Sequence, residues 1–447
     1  MDVQDNILGF VETQEGETKL LVPLSSLTDS VPSKNPAFFN RLAKLNRDIS
    51  ILAYRAFALG ILQSKRRQQD SSNTFTRNGS DEYRIEFADA LSGTGARALR
   101  VAVEAPEIAE VYMNDINHVA IEKSKASAKI NNVIHKCHFS NHDVNKFLVD
   151  HETRRAKRFT IADLDPFGSP TPYIDSLLRS VRSGGLISVT ATDTAVLAGV
   201  HPKVCLRKYF GMPINNGFSN ETGIRILLSL ISKEAARFEF VIKPLFVHAN
   251  MHYLRVYLIV ERSSSKANTS YKNLGFIQYC FKCGDRKAVT SNSNAVQAGI
   301  TAEQCKRCTD GLYTVGGPVW SSNIFDKEFV KNMSALKLMN LKSKTTSHSK
   351  DKTILNNSQI YSETNSQGSF RNDPVQRILS IAKTELDSIP YYFRSDEISS
   401  YMRLNPLPIA SILEKLNSAG FDSSRTSLNP TAFKTNANLS EIIEVLR

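Results

Sequence analysis

Asp89-Ala90-Leu91-Ser92-Gly93-Thr94-Gly95-Ala96-Arg97 is the stretch that decides the fold of this chain. It ends a strand-like run, Arg84–Ala90, and opens a helical pattern over Gly95–Ala105, the order strand, tight turn, helix. Gly93 and Gly95 let the backbone turn sharply and come close to a ligand. The third glycine of a dinucleotide fingerprint is missing, with Ala98 in its place. That argues against a nicotinamide oxidoreductase and for a pocket that takes S-adenosylmethionine, which has no pyrophosphate to seat on a helix N-terminus.

Outward from this turn, strands and helices alternate. Val111–Asn114 reads as the next strand, and Asn117 as the cap of a helix from Val119 to Asn131. Strands follow near Lys136–Ser140 and at Phe159–Asp163, then a helix near Tyr173–Val181, the turn Ser183-Gly184-Gly185 and a strand at Leu186–Thr192. A long helix is expected over Thr222–Ala236, and Phe240–His248 with Tyr253–Val260 suits an antiparallel edge pair. Such alternation predicts an α/β, Rossmann-like fold, a mostly parallel sheet with helices on both faces.

Three carboxylates fall on strand ends, where ligands of such sheets sit. Asp115 lies 20 residues beyond Gly95 and is placed to take both ribose hydroxyls. Asp143, beyond the third strand, is placed to accept from an adenine amino group. The third belongs to Asp163-Leu164-Asp165-Pro166-Phe167-Gly168. An exocyclic amine on a base is a poor nucleophile, because its lone pair is delocalised into the ring. A carboxylate (Asp165), the Pro166 carbonyl and a stacking ring (Phe167) would activate and hold one. Asp-Pro and Phe-Gly are also ordinary turn chemistry, so the neighbouring motifs carry the argument.

The 447 residues, 41% of them hydrophobic and 22% charged, describe a globular protein of two or three domains. No apolar run is long enough to span a bilayer. The polar start Met1-Asp2-Val3-Gln4-Asp5 does not read as a leader, so a cytoplasmic location is expected. A net charge of +12 favours a polyanionic partner. Cys280-x-x-Cys283 and Cys305-x-x-Cys308 flank the 21 residues 284–304. Two thiolate knuckles suit tetrahedral zinc better than a redox pair or an iron–sulfur cluster, and four ligands make the site structural. Cys137 and Cys205 read as buried apolar residues.

The expected organisation is an extension over 1–83 with a helix from about Pro36 to Gln63, and the sheet domain over 84–265. A zinc module over 266–340, a polar linker over 341–372 and a C-terminal module over 373–447 follow. In that last module, helical periodicity at Pro374–Asp387, Asp396–Met402 and Pro406–Ser418 precedes a Gly420–Arg425 loop, as in a winged helix.

These stretches together resemble the tRNA (guanine-N2)-dimethyltransferases, over nearly the whole chain. The matching blocks are Phe38-Phe39-Asn40 with Asn46-Arg47-Asp48-Ile49-Ser50, Asp89 with Gly95-Ala96-Arg97, Asn114-Asp115, and Asp165-Pro166-Phe167-Gly168. They continue through Thr190-Ala191-Thr192-Asp193, Glu221 with Arg225-Ile226-Leu227-Leu228, and His252-Tyr253-Leu254-Arg255-Val256. Gly316-Gly317-Pro318-Val319-Trp320, Ser424-Arg425-Thr426 and Asn429-Pro430-Thr431-Ala432-Phe433-Lys434-Thr435 complete them. Arg41 stands where the family often has proline, and Ala191 and Thr194 replace its Cys and Met.

The resemblance implies a class I methyltransferase sheet with a zinc-ribbon-like insert and a small α-rich, winged-helix-like C-terminal module. It implies cofactor contacts at Arg47, Gly93, Gly95, Arg97, Asp115, Asp143 and Val144, and Asp165 as the catalytic carboxylate. Phe38, Pro166 and Phe167 would hold the target guanine of tRNA position 26, and Cys280, Cys283, Cys305 and Cys308 a structural zinc. The protein would act as a monomer, with tRNA as its partner and no membrane. Two readings compete with it. One is an amino-methyltransferase of another base, which usually carries a second proline where Phe167 stands. The other is a non-catalytic RNA-binding protein, which would lack Asp165 or the glycine turn.

Overall fold

The computed structural model describes residues 9–71, 84–153, 158–290, 303–348 and 373–447. The chain divides into two compact units. One holds Met1–Asp165, Arg179–Ile187 and Lys331–Leu379; the other holds Pro166–Leu178, Ser188–Val330 and Ser380–Arg447.

The first unit begins with a hairpin absent from the expectations above. Strands β1 (Phe10–Glu15) and β2 (Thr18–Pro23) pair antiparallel around the turn Gly16-Glu17, with Gly16 at φ +64°. Their burial alternates, so one face packs inward. The hairpin is fastened to the helix His118–Ile130: Leu21 N donates to Ser127 Oγ (2.9 Å), and Asn131 both accepts from and donates to the Lys19 backbone. The long helix covers Lys44–Ser71 and starts later than expected, because Asn40 caps a 3-10 turn at Arg41–Ala43 first.

Strands β3 (Glu86–Asp89), β4 (Glu110–Asn114), β5 (Cys137–Ser140) and β6 (Phe159–Leu164) form the parallel part of the sheet. The helices Ala96–Glu104, His118–Ile130 and Val144–Thr153 connect them. All six residues of β6 are buried, as befits a strand covered on both faces. With β7 (Val181–Ala191), β8 (Phe240–Asn250) and β9 (Tyr253–Arg262), the sheet runs β5-β4-β3-β6-β7-β9-β8. β8 and β9 are antiparallel, as expected of the edge pair. The order reverses between β3 and β6, so a crevice opens beyond their carboxyl ends.

In the second unit, β10 (Leu274–Cys280), β11 (Arg286–Thr290) and β12 (Tyr313–Trp320) form an antiparallel sheet in the order β11-β10-β12. The C-terminal module combines the helices Ser395–Met402, Ile409–Ser418 and Leu439–Leu446 with a second small sheet. That sheet consists of β13 (Phe393–Arg394), β14 (Ser423–Thr426) and β15 (Asn429–Thr435) in the order β13-β15-β14. The stretch expected as a loop thus runs into β14, and the module is less purely helical than its periodicity suggests. Phe393, Ile398, Ile412, Leu416, Phe433 and Ile442 are buried in its core, each contributing about 1.5–3 kcal/mol. Asn438 and Glu441 form a capping box at its last helix.

The helix Lys327–His348 takes up the first eight residues of the expected linker; residues 349–372 of it lie outside the described residues. Among the described residues, no helix is long and apolar enough to cross a membrane.

Candidate active site and metal centre

The glycine turn is built by its neighbours. Gly95 (φ +77°) admits no side chain, since a Cβ would lie 2.7 Å from Ser124 Oγ. Gly93 (φ +53°) is crossed by the extension, its missing Cβ only 3.0 Å from the Phe38 carbonyl. Segment 36–40 is further tied down by Asn117 Nδ2 donating to Pro36 O at 2.9 Å. Phe38 is thereby brought to the turn that the sequence marks as cofactor-binding.

Asp115 faces the same turn. Its Oδ2 accepts from Gly93 N (2.8 Å) and its Oδ1 from Asn117 N (2.9 Å). Asn114 is buried and staples the exits of β4 and β5, accepting from Ser140 Oγ and His142 N and donating to the Ala90 and His142 carbonyls. Asp143 is exposed and accepts from Asn145 N and Lys146 N, capping the helix that begins at the buried Val144.

Arg97 organises the other side. Its guanidinium pairs with Asp163 (2.9 Å) and with Asp165, and donates to Asn46 Oδ1 (2.9 Å) and Ser50 Oγ (2.5 Å). Tyr54 donates to Asp163 at 2.9 Å. Asn46, Ser50 and Tyr54 all lie on the helix Lys44–Ser71, so the extension holds the carboxylates at the end of β6 in place. Asp89 sits beside them, fully buried. Burial first and the charge of Asp163 second push its carboxyl up to about 8, against the pull of Arg97. Asp89 is therefore largely protonated at neutral pH.

Arg47 lies on the same helix, Lys44–Ser71. It forms a bidentate pair with Glu15 (2.7 and 2.5 Å) and donates to Asn40 O at 3.0 Å. Glu15 also takes Arg100, and its carboxyl is held below the ordinary range by both arginines despite burial. Arg47 thus braces the segment that carries Phe38.

The residues at the glycine turn fit S-adenosylmethionine. Asp89 Oδ1, Ser92 Oγ and Thr94 Oγ1 are buried without a hydrogen-bond partner among the described residues, which is costly unless a polar ligand meets them. They lie in or just before that turn.

In the second unit, Phe167 is 57% exposed and Gly168 takes φ +81°. The backbone at Gly168 is clamped to Thr192: Gly168 N donates to Thr192 Oγ1 (2.6 Å) and Thr192 N to Gly168 O (2.9 Å).

The four cysteines converge as expected. Their sulfurs lie within 4.8 Å of one another, with Cys280–Cys308 at 3.7 Å and Cys283–Cys305 at 3.5 Å. Tetrahedral zinc at about 2.3 Å from each sulfur implies edges of about 3.8 Å, so the cluster fits the ion. Gly311 is required beside it, since a Cβ would fall 2.7 Å from Cys280 Sγ.

Sequence reasoning overlooked Glu15, Tyr54, Asp89 and Thr192 as parts of this machinery. Asp89 was legible, since it stands at the strand end before the glycine turn. Tyr54 carries no local signal, because only the docking of its helix brings it to Asp163.

A sheet of this order, with a glycine turn after its first parallel strand and an acidic residue at the switch point, defines a class I methyltransferase. The chain belongs to the family of N2,N2-dimethylguanosine tRNA methyltransferases, whose profile matches residues 16–359 and 348–447. It is 32% identical over 433 residues to the tRNA (guanine(26)-N(2))-dimethyltransferase of Methanosarcina mazei, covering 97% of each chain. To the tRNA (guanine(26)-N(2)/guanine(27)-N(2))-dimethyltransferase of Aquifex aeolicus it is 30% identical, covering 96% of this chain and 94% of the other. The structure of Trm1 from Pyrococcus horikoshii with S-adenosyl-L-methionine superposes with a TM-score of 0.71 at 27% identity, over 97% of this chain and 99% of that one.

Proposed function

We propose that this protein is an S-adenosylmethionine-dependent tRNA methyltransferase that places one and then two methyl groups on N2 of guanosine at position 26. The observation that carries it is Asp165 at the end of β6, oriented by Arg97 at the glycine-turn crevice and followed in the chain by Pro166 and Phe167. Full-length similarity to relatives of that activity supports the same reading.

When bound, S-adenosylmethionine supplies a methyl group on a sulfonium already activated for in-line displacement. The work left to the protein is orientation. Asp165 accepts one hydrogen of the guanine amine, turning the nitrogen lone pair toward the incoming carbon. The Pro166 carbonyl accepts the other, and proline offers no N–H to compete. As the nitrogen becomes cationic it turns strongly acidic, and Asp165 takes its proton. Rotation of the monomethylated amine presents the second hydrogen to the same carboxylate. Phe38 and Phe167 are the rings we assign to the base, which must leave its stack at some cost. Gly93, Gly95, Asp115 and Asp143 with Val144 are assigned to the cofactor, and the four cysteines to a structural zinc. Arg47 and Arg97 are assigned to the cofactor as well, and they also hold the Phe38 segment and Asp165.

The test is nucleoside analysis of unmodified tRNA incubated with labelled S-adenosylmethionine, for wild type and Asp165→Ala. N2-methylated guanosine is expected from wild type, with the rate cut by roughly 10²–10⁴ in the variant. Methyl transfer to another base, or an undiminished rate in the variant, would sink the assignment.

A further inference from the structure

The loop carrying Phe167 has a second anchor beyond Thr192. Ser169 Oγ donates to the Tyr209 hydroxyl at 2.9 Å, and that hydroxyl donates to Asp193 Oδ1 at 2.5 Å. Tyr209 is fully buried. Burial and the neighbouring Asp193 raise its phenol above the ordinary value, so it remains a hydroxyl. It is the last residue of the helix Pro202–Tyr209.

The other face of that helix is exposed. It presents His201, Lys203, Leu206 and Arg207, with Phe210 following at 60% exposure. Phe210 ends the helix at φ +50°, and the Lys233 ammonium lies 5.8 Å from its ring. From Thr194 to Asn220 the chain contains no Asp or Glu, whereas Lys203, Arg207 and Lys208 fall within the one helix. Lys208 is turned to Asp193 at 3.4 Å. Two exposed cations without an intervening acid, next to an exposed ring, suit a phosphate backbone and an unstacked base. A protein partner would have to bury those cations among Leu206 and Phe210 at a desolvation cost; a polynucleotide uses both features.

We propose that the exposed face of the helix Pro202–Tyr209, together with Phe210, grips the RNA strand flanking the target guanosine. Tyr209 is then the positioning residue that joins this grip to the Phe167 loop. The inference rests on the tRNA methyltransferase reading above.

Full-length protein carrying Lys203→Ala with Arg207→Ala tests the grip, by filter binding of a tRNA transcript over a series of salt concentrations. Binding should weaken by roughly tenfold and the salt slope fall by about 1 to 2, while cofactor affinity and melting temperature keep their wild-type values. An unchanged affinity and slope would overturn the grip and leave a merely solvated helix face. Tyr209→Phe removes only the hydroxyl. It should lower kcat by roughly tenfold with the KM for tRNA within about twofold; an unchanged kcat overturns the positioning role. The wild-type product is read separately. If wild type methylates no tRNA guanosine yet binds tRNA through Lys203 and Arg207, the methyltransferase reading fails and the RNA grip stands.

Discussion

Each unit holds a cluster of buried charge, and the two are built on opposite principles. In the second unit, Glu221 accepts from Arg225 (2.8 Å) and Lys434 (2.8 Å), and Lys434 also meets Glu385 (3.1 Å). Glu385 accepts further from Thr426, Ser427 N and Ser427 Oγ, while Asp387 accepts from Ile324 N and Phe325 N and pairs with Lys327. Arg225 donates onward to the carbonyls of Trp320, Ser322 and Asp387. Three carboxylates meet three cations there, and the cluster joins the helix Ser219–Arg237 to the sheet β11-β10-β12 and the C-terminal module. In the first unit, Asp89, Asp163 and Asp165 crowd around Arg97, with polar atoms left unmet nearby. Balanced charge serves as a fastener, even with Glu221 Oε2 left without a hydrogen-bond partner among the described residues. Charge in excess of its partners is the arrangement expected beside a ligand site.

Breaking the balanced cluster should have the largest effect on stability. Lys434→Met leaves Glu221 and Glu385 facing each other in a dry site and is expected to cost about 3–5 kcal/mol in denaturant unfolding. A loss below about 1 kcal/mol would show that water reaches the cluster.

Asp89→Asn sharpens the contrast through pH. The folded carboxyl titrates at about 8 against an ordinary 3.8. Between those values the native state keeps a proton that the unfolded chain has released, so wild-type stability falls as pH rises across that window. The steepest slope approaches about 1.4 kcal/mol per pH unit. The asparagine variant, which has no such proton, should lose that slope. Parallel unfolding curves for both proteins from pH 5 to 8 would contradict the crowding of acids.

Asp165→Ala should have the smallest effect on stability, within about 1 kcal/mol in thermal unfolding, because it removes one acid from an excess. The same change that nearly abolishes methylation should leave the fold intact. A loss as large as that of Lys434→Met would make Asp165 a fastener too and erase the distinction.

How much of this was legible follows from how far apart the interacting residues lie in the chain. The strand-turn-helix at Asp89–Arg97, the acids at 115, 143 and 165 and the cysteine knuckles were local patterns, and the structure places each at a strand end or in one sulfur cluster. The β1–β2 hairpin escaped because six-residue strands around Gly16 look like a polar extension until the helix His118–Ile130 gives them something to cover. The pairing of Arg47 with Glu15 escaped for the same reason, since Glu15 lies on that hairpin. The helix Lys327–His348 runs on into the expected linker.

Periodicity, glycine turns and thiolate spacing act over a few residues, so the sequence by itself determined the α/β class, the glycine-turn crevice and the four-cysteine cluster. Which carboxylates share a guanidinium, which stay protonated and which arginine faces an acid depend on burial and on contacts between residues far apart in the chain, such as Tyr54 with Asp163, 109 positions apart, or Glu221 with Lys434, 213 apart. The energy of a charge depends on its surroundings far more than on its neighbours in the chain. That is why only the tertiary structure separated the carboxylates crowded around Arg97 from those balanced by cations in the second unit.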